Sequence, residues 1–333
     1  MSVKARLAAL VRRGVAGAGP RSAQRLEMAL VAVSHVWLMT GLALAIEPAD
    51  RRNPALTEHG LGLSMGLTAL AALGLMGFGA AMSDALRRRA GSGRRAMVRA
   101  VVGLLALMAA AAWLGPASSL VGALAAAGLL LHVSVGRYLP AAAVLGAGLL
   151  HMLVLMAPNP WASFVWPVLL AVTHVVASES AILLVGRQRG RLSSETGWAI
   201  CIGWGFLSLL LVSLMRSGQS AQAAHLAWVW VGPAAAVAGF VLLSVVLLQD
   251  LGDGGQPGRW TAHRFTWLAR LWLILYNATW LLSARRVTPG IAVLGLLLIA
   301  LAARPALARL KLLLEPARAR LPAEPETMPG GRL

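Results

Sequence analysis

The sequence predicts an all-α polytopic membrane protein with about nine or ten transmembrane helices, and three observations predict it. Apolar residues make up 58% of the 333-residue chain and charged residues only 13%, with a mean hydropathy of +0.73. A soluble chain of this length has no interior large enough for that much apolar surface, so most of it must meet lipid or other spans. The apolar residues come in runs of about 20, the length that crosses a ~30 Å hydrocarbon layer as a helix. The loops between the runs alternate between basic and uncharged or acidic, as the positive-inside rule requires.

Taken in order, the candidate spans lie near 28–46, 60–82, 97–114, 118–135, 139–157, 161–185, 197–215, 226–249, 265–283 and 288–303. The first is preceded by Lys4, Arg6, Arg12, Arg13, Arg21 and Arg25, which puts the N-terminus in the cytoplasm. The following loop, EPADRRNPALTEHG, balances Arg51 and Arg52 with Glu47, Asp50 and Glu58 and suits the outside. Loop 84–96 is strongly basic, 115–118 is uncharged, 136–140 carries Arg137, 157–161 is uncharged and 186–195 is basic again. The alternation falters at Arg285 and Arg286, which ten spans would place outside. Either 265–283 does not fully cross, or this pair is an exception. Trp113, Trp161, Trp228 and Trp230 fall at predicted outer span ends, where an aromatic belt belongs.

Three regions follow. Residues 1–26 form a basic segment whose Leu7, Leu10, Val11 and Val15 suit a short helix on the membrane surface. Residues 27–303 are the transmembrane domain, and 304–333 are a basic, then proline-rich cytoplasmic tail, partly disordered. The formal charge of +18 sits in short loops and tails, where attraction to anionic lipid accounts for it and no basic module long enough for nucleic acid exists. Membrane lipids are the expected partners, and a bacterial-type inner membrane the expected location. Cys201 is the single cysteine, so no internal disulfide or cysteine metal cluster can form; it reads as a small buried side chain. The glycine-rich GDGGQPGRW at 252–260 lacks the lysine and hydroxyl that end a phosphate loop and follows no strand.

Polar groups inside lipid are costly and therefore informative. His35, His132, His151 and His174 fall in or at the edge of four different spans, Asn277 in the ninth, and Asp84 and Glu179 near the cytoplasmic ends of the second and sixth. The two acids share a context: GFGAAMSDALRRRAGSGRR and THVVASESAILLVGRQRGR each run from small residues through a serine–acid pair to a basic run. Four spans of separation put both on the same side, the spacing of a two-fold internal repeat.

In this respect the chain resembles the UbiA superfamily of intramembrane prenyltransferases, over roughly residues 27 to 283. The resemblance implies a helical bundle of two pseudo-repeats, with aspartate-rich motifs after the second and sixth helices. The first such motif has the form N-D-x-x-D-x-x-x-D. SDALRRRAG stands in its place, with Ser83 for the asparagine, Asp84 for the first aspartate, and Arg87 and Gly91 where the others belong. VGRYLPAAAVLGAGLLHMLV resembles the family's basic residue, turn and glycine-bearing fifth helix, and Arg137 would then help hold a diphosphate. Of the sixth-span D-x-x-x-D only Glu179 remains.

The resemblance implies an isoprenoid diphosphate held by Asp84, Arg87, Arg88, Arg89, Arg137 and Arg187, with His151, His174, Asn277 and Glu179 lining the acceptor end. Asp84 and Glu179 would hold any remaining Mg²⁺. The departures weaken that metal, because Mg²⁺ wants carboxylate and phosphate oxygens and Arg87 would repel it. Clustered arginines can instead grip a phosphate directly. Three readings result: a prenyltransferase transferring a prenyl group to an aromatic or lipid-soluble acceptor; an inactive UbiA-fold scaffold or lipid- and quinone-binding subunit; and a haem or quinone redox protein. Facing imidazoles can ligate haem iron, but His132 and His151 enter from opposite ends of their spans and no pair shares a helix face, which favours packing or cavity lining.

Overall fold

The computed structural model describes residues 21–47, 49–86, 93–136, 138–162, 164–186, 193–216, 227–249 and 259–319. These residues are all-helical. The helices are α1 (Arg21–Ile46), α2 (Pro54–Glu58), α3 (Gly60–Leu86), α4 (Gly93–Trp113), α5 (Pro116–Val135), α6 (Pro140–Met156), α7 (Trp166–Gly186), α8 (Ser194–Arg216), α9 (Val231–Gln249), α10 (Arg259–Ser283) and α11 (Val287–Ala319). Single 3₁₀ turns lie at Ala49–Arg51 and Ala227–Trp230. Each of the ten candidate spans is a helix, and α2 is a short addition in the first loop.

Among the described residues, seven helices are long and apolar enough to cross a membrane, the architecture of a polytopic membrane protein: α1, α3, α4, α5, α7, α8 and α9 with its leading turn. The apolar parts of α6 and α11 are shorter, and α10 carries Arg264 and Arg270. The described part of α1 runs from Arg21, and its Glu27 packs into the bundle, while α11 runs to Ala319. Residues 1–20 and 320–333 lie outside the described residues.

α1 is the axis of the bundle: 72% of its apolar window is buried, against 11% for α8. Glycines set the closest approaches. A Cβ on Gly74 of α3 would lie 2.7 Å from the Gly103 carbonyl of α4, and one on Gly103 would lie 2.8 Å from the Gly74 carbonyl. The two backbones therefore touch, the small-residue packing that membranes favour. On α8, Trp198, Ile202, Phe206 and Leu209 face outward, as suits lipid, and Cys201 lies among these exposed residues. The expectation of a buried cysteine is thus corrected: α8 is peripheral, so an apolar run there does not imply burial by protein.

Polar contacts identify the two ends of the bundle. At one end Arg25 of α1 and Arg99 of α4 both bind Asp84 of α3, and Arg270 of α10 meets Glu27 of α1 at 3.5 Å. At the other end, Asn53 Nδ2 donates to the carbonyls of Leu114 and Pro158, both at 2.9 Å, and lies 3.3 Å from Ser118 Oγ. Asn53 also caps α2 through Ala55 N–H, with Pro54 at the first helical position. Its own N–H donates to Asn159 Oδ1, and Phe164 N–H donates to Glu47 Oε1.

Arg285 and Arg286 belong to this second end. α10 stops in a Schellman motif, with Arg285 at φ 54°, Arg286 N–H on the Leu281 carbonyl and Arg285 N–H on that of Leu282. The turn sends the Arg286 guanidinium 2.6 Å from the Leu44 carbonyl and sets that of Arg285 5.0 Å over the Trp228 ring. Arg52 likewise donates to the Ala43 and Glu47 carbonyls. Arg286 and Arg52 satisfy carbonyls at the C-terminal end of α1, where the helix dipole also favours cations. α10 runs from the Glu27 level of α1 to its Leu44 level. Trp113, Trp161, Trp228 and Trp230 gather at the same end.

Candidate functional site

The half of the bundle nearer the Asp84 end holds a partly open cavity of about 330 Å³. Its walls are mostly apolar, from Leu75 and Met76 of α3, Leu129 of α5, Val154 of α6 and Ile182 of α7. The polar lining comes from five helices. α1 supplies His35, α5 His132, α6 His151, α7 His174 with Ser178 and Glu179, and α10 Thr266 and Arg270. The four membrane histidines, each on a different span, converge on one space.

Two of them are in direct contact. His35 Nε2 lies 2.7 Å from His151 Nδ1, with the rings at 79° to one another. Behind His35, Asn277 Nδ2 is 2.8 Å from His35 Nδ1 and 2.8 Å from Ser34 Oγ. Ser34 gives its own proton to the Val31 carbonyl at 2.7 Å, so its oxygen must accept from Asn277. The amide then spends one N–H on Ser34 and the other on His35 Nδ1. With Nδ1 accepting, His35 carries its proton on Nε2 and donates to His151 Nδ1, and His151 carries its proton on Nε2. Both rings are held neutral by this chain.

His174 is fixed separately. Its Nε2 donates to the Ala269 carbonyl at 3.0 Å, and its ring packs against Phe240 and edge-on to Tyr276. Gly148 admits the α6–α7 approach beside it, since a Cβ there would lie 2.9 Å from Val176 Cγ2. The Ser178 hydroxyl, buried in the cavity wall, has no hydrogen-bond partner among the described residues. Arg270, partly buried, and Glu27, buried, form a pair at the cavity's edge. Opposite charges at this distance hold one another, and neither side chain stands alone in the bundle.

Of the residues picked from sequence, His151, His174 and Glu179 line the cavity, and Asn277 stands one hydrogen bond behind it on His35. Asp84 is placed differently from Glu179, despite their matching sequence contexts. Asp84 Oδ1 is bound to Arg25 and Oδ2 to Arg99 at 3.4 Å, and the residue does not line the cavity. A carboxylate with each oxygen on a guanidinium does not fit the Mg²⁺ role expected of it. Among the described residues no group of three or more His, Cys, Asp or Glu is placed to hold a metal ion. Arg87, Arg88, Arg89, Arg137 and Arg187 lie outside the described residues.

As a pair, His35 and His151 do not suit the two axial positions of one haem iron. Two axial imidazoles on one iron stand roughly 4 Å apart, about 2 Å from the metal on each side. His35 and His151 are joined instead by a hydrogen bond at 2.7 Å. Sequence reasoning missed Glu27 and Arg270 as a pair. Glu27 sits at the edge of the first apolar run, and Arg270 lies within the ninth. An arginine within an apolar helix was itself the available signal. Comparison of the chain with protein-family models, with curated proteins and with solved structures finds no match.

Proposed function

We propose that this chain is an intramembrane binding protein for a lipid with an uncharged, oxygen-bearing ring, quinone-like in chemistry, on a UbiA-like bundle without magnesium-dependent transfer activity. In this reading ten helices cross a bacterial-type inner membrane, with α2 outside, and the N-terminus and cavity lie toward the cytoplasm. The observation that carries it is the balance of the cavity. Its described charges are Arg270 and Glu179, with Glu27 set against Arg270, and His35 and His151 are neutral. A diphosphate brings several negative charges and needs surplus cations or a metal. An uncharged ring needs only hydrogen-bonding groups at one end and apolar walls for its tail, and the cavity supplies both.

A second reading, prenyl transfer from an isoprenoid diphosphate, is favoured by the position of the cavity at the end that carries Arg25, Arg99 and the basic loop runs. Binding to purified protein in nanodiscs separates the two, using a short-tailed benzoquinone and a non-hydrolysable farnesyl thiodiphosphate, each with Mg²⁺ and with EDTA. The quinone is expected to bind equally in both conditions and the thiodiphosphate to bind in neither. Magnesium-dependent thiodiphosphate binding would overturn the quinone reading in favour of a transferase.

A further inference from the structure

The cavity histidines differ in how their protons are fixed, and that difference carries an inference about what the site reads. His151 is the end of a chain that starts on a backbone carbonyl: Val31 C=O accepts from Ser34, Ser34 from Asn277, His35 Nδ1 from the same amide, and His151 Nδ1 from His35 Nε2. Every link runs in one direction, because the Ser34 hydroxyl has a single proton and the Asn277 nitrogen has two. An imidazole whose Nδ1 accepts must, when neutral, hold its proton on Nε2. Ser34, His35 and Asn277 are all buried, so water does not offer a competing set of partners.

We infer that Asn277, acting through His35, fixes His151 as an N–H donor to the cavity, so that the site reads a carbonyl oxygen on the ligand's ring. Asn277 is a positioning residue: it lies behind His35 and does not line the cavity. The inference rests on the quinone-like reading for its ligand, but the direction of the proton chain stands on the protein alone. A quinone oxygen only accepts, whereas a quinol hydroxyl brings a proton of its own that an N–H donor cannot take. The oxidised ring therefore suits His151 better than the reduced one.

The direction of the chain can be reversed by one atom. Asn277→Asp replaces the donating amide with an accepting carboxylate of the same shape. His35 would then place its proton on Nδ1, accept at Nε2 from His151 Nδ1–H, and leave His151 Nε2 as an acceptor. The preference for carbonyl over hydroxyl should swing the other way.

The experiment has two arms on full-length protein in nanodiscs. The first is ¹⁵N NMR of histidine-labelled protein, with His151 assigned by its loss in His151→Phe. Protonation at Nε2 and a bare Nδ1 are expected without any ligand, and protonation at Nδ1 would overturn the inference. The second compares binding of one short-tailed benzoquinone with its anaerobically reduced quinol. Asn277→Asp should shift the quinone-to-quinol ratio by about tenfold or more toward the quinol, the worth of one good hydrogen bond. A folded Asn277→Asp protein with an unchanged ratio would overturn the inference while leaving quinone binding intact. Failure of the wild type to bind either form would sink the proposed function, and the NMR arm would still decide the chain. Should Asn277→Asp not fold, the wild-type tautomer carries the decision.

Discussion

The two ends of the bundle use polar residues in opposite ways. At the Asn53 end the side chains are spent on backbone: Asn53 on Leu114 and Pro158, Arg286 on Leu44, Arg52 on Ala43 and Glu47, Glu47 on Phe164. None of these residues lines the cavity that holds His35 and His151. At the Asp84 end and beneath it, side chains meet one another around an open space: His35 with His151, Asn277 with His35, Arg270 with Glu27. Buried polar groups that close on backbone hold loops together, whereas groups that face a space leave bonding capacity for something that enters it. The contacts of the first end therefore hold loops and helix ends together, while the proposed binding belongs to the second.

The largest expected effect tests the first half of that assignment. Asn53→Ala strands the carbonyls of Leu114 and Pro158 and removes the cap of α2. Each buried acceptor left without a donor costs about 1–3 kcal/mol, so the loss should be on the order of 3 kcal/mol. It would appear as a lower unfolding midpoint in detergent, with the quinone Kd of the folded fraction unchanged. A variant as stable as the wild type would show that this end holds nothing together.

The contrast between the ends also marks what the sequence made legible. Ten apolar runs gave ten helices, because a run of about 20 apolar residues has few alternatives to a helix in lipid. The four histidines were flagged for the same reason that they cluster, the cost of imidazoles away from water. Their convergence was not legible. It depends on how each helix is rotated, and rotation is set by contacts such as Gly74 on Gly103 and Gly148 on Val176, which hydropathy does not register. The matching contexts of Ser83-Asp84 and Ser178-Glu179 suggested equivalent roles, yet Asp84 is taken up by Arg25 and Arg99 while Glu179 faces the cavity. Pairs such as Glu27 with Arg270, 243 residues apart, exist only once the helices are assembled. The contact of Arg286 with the Leu44 carbonyl is likewise invisible to a count of loop charges.

A middle-sized effect belongs to the cavity. His151→Phe keeps a ring of similar shape in α6 but removes both nitrogens. It strands one donor, His35 Nε2–H, where Asn53→Ala strands two acceptors and a cap, so the stability cost should be about 1–2 kcal/mol. Quinone binding should weaken by about tenfold. Calorimetry on the nanodisc protein reads the second number and a denaturation midpoint the first. Binding unaffected by the substitution would remove His151 from the site and leave the cavity without its oriented donor.

The smallest effect is expected at Asp84, and it is the most discriminating for function. Its partners Arg25 and Arg99 have side chains 40% and 53% exposed, so the pairs are screened and their loss should cost no more than about 1 kcal/mol. Asp84→Ala should leave quinone binding unchanged, and magnesium should make no difference before or after the substitution. That indifference follows from the geometry: both carboxylate oxygens face guanidinium groups, and the residue stands outside the cavity wall. A magnesium-dependent ligand lost on Asp84→Ala would mean that Asp84 leaves Arg25 and Arg99 to bind metal. The two ends would then differ in another way, with the Asp84 end a metal-diphosphate site and the histidine cavity its acceptor chamber.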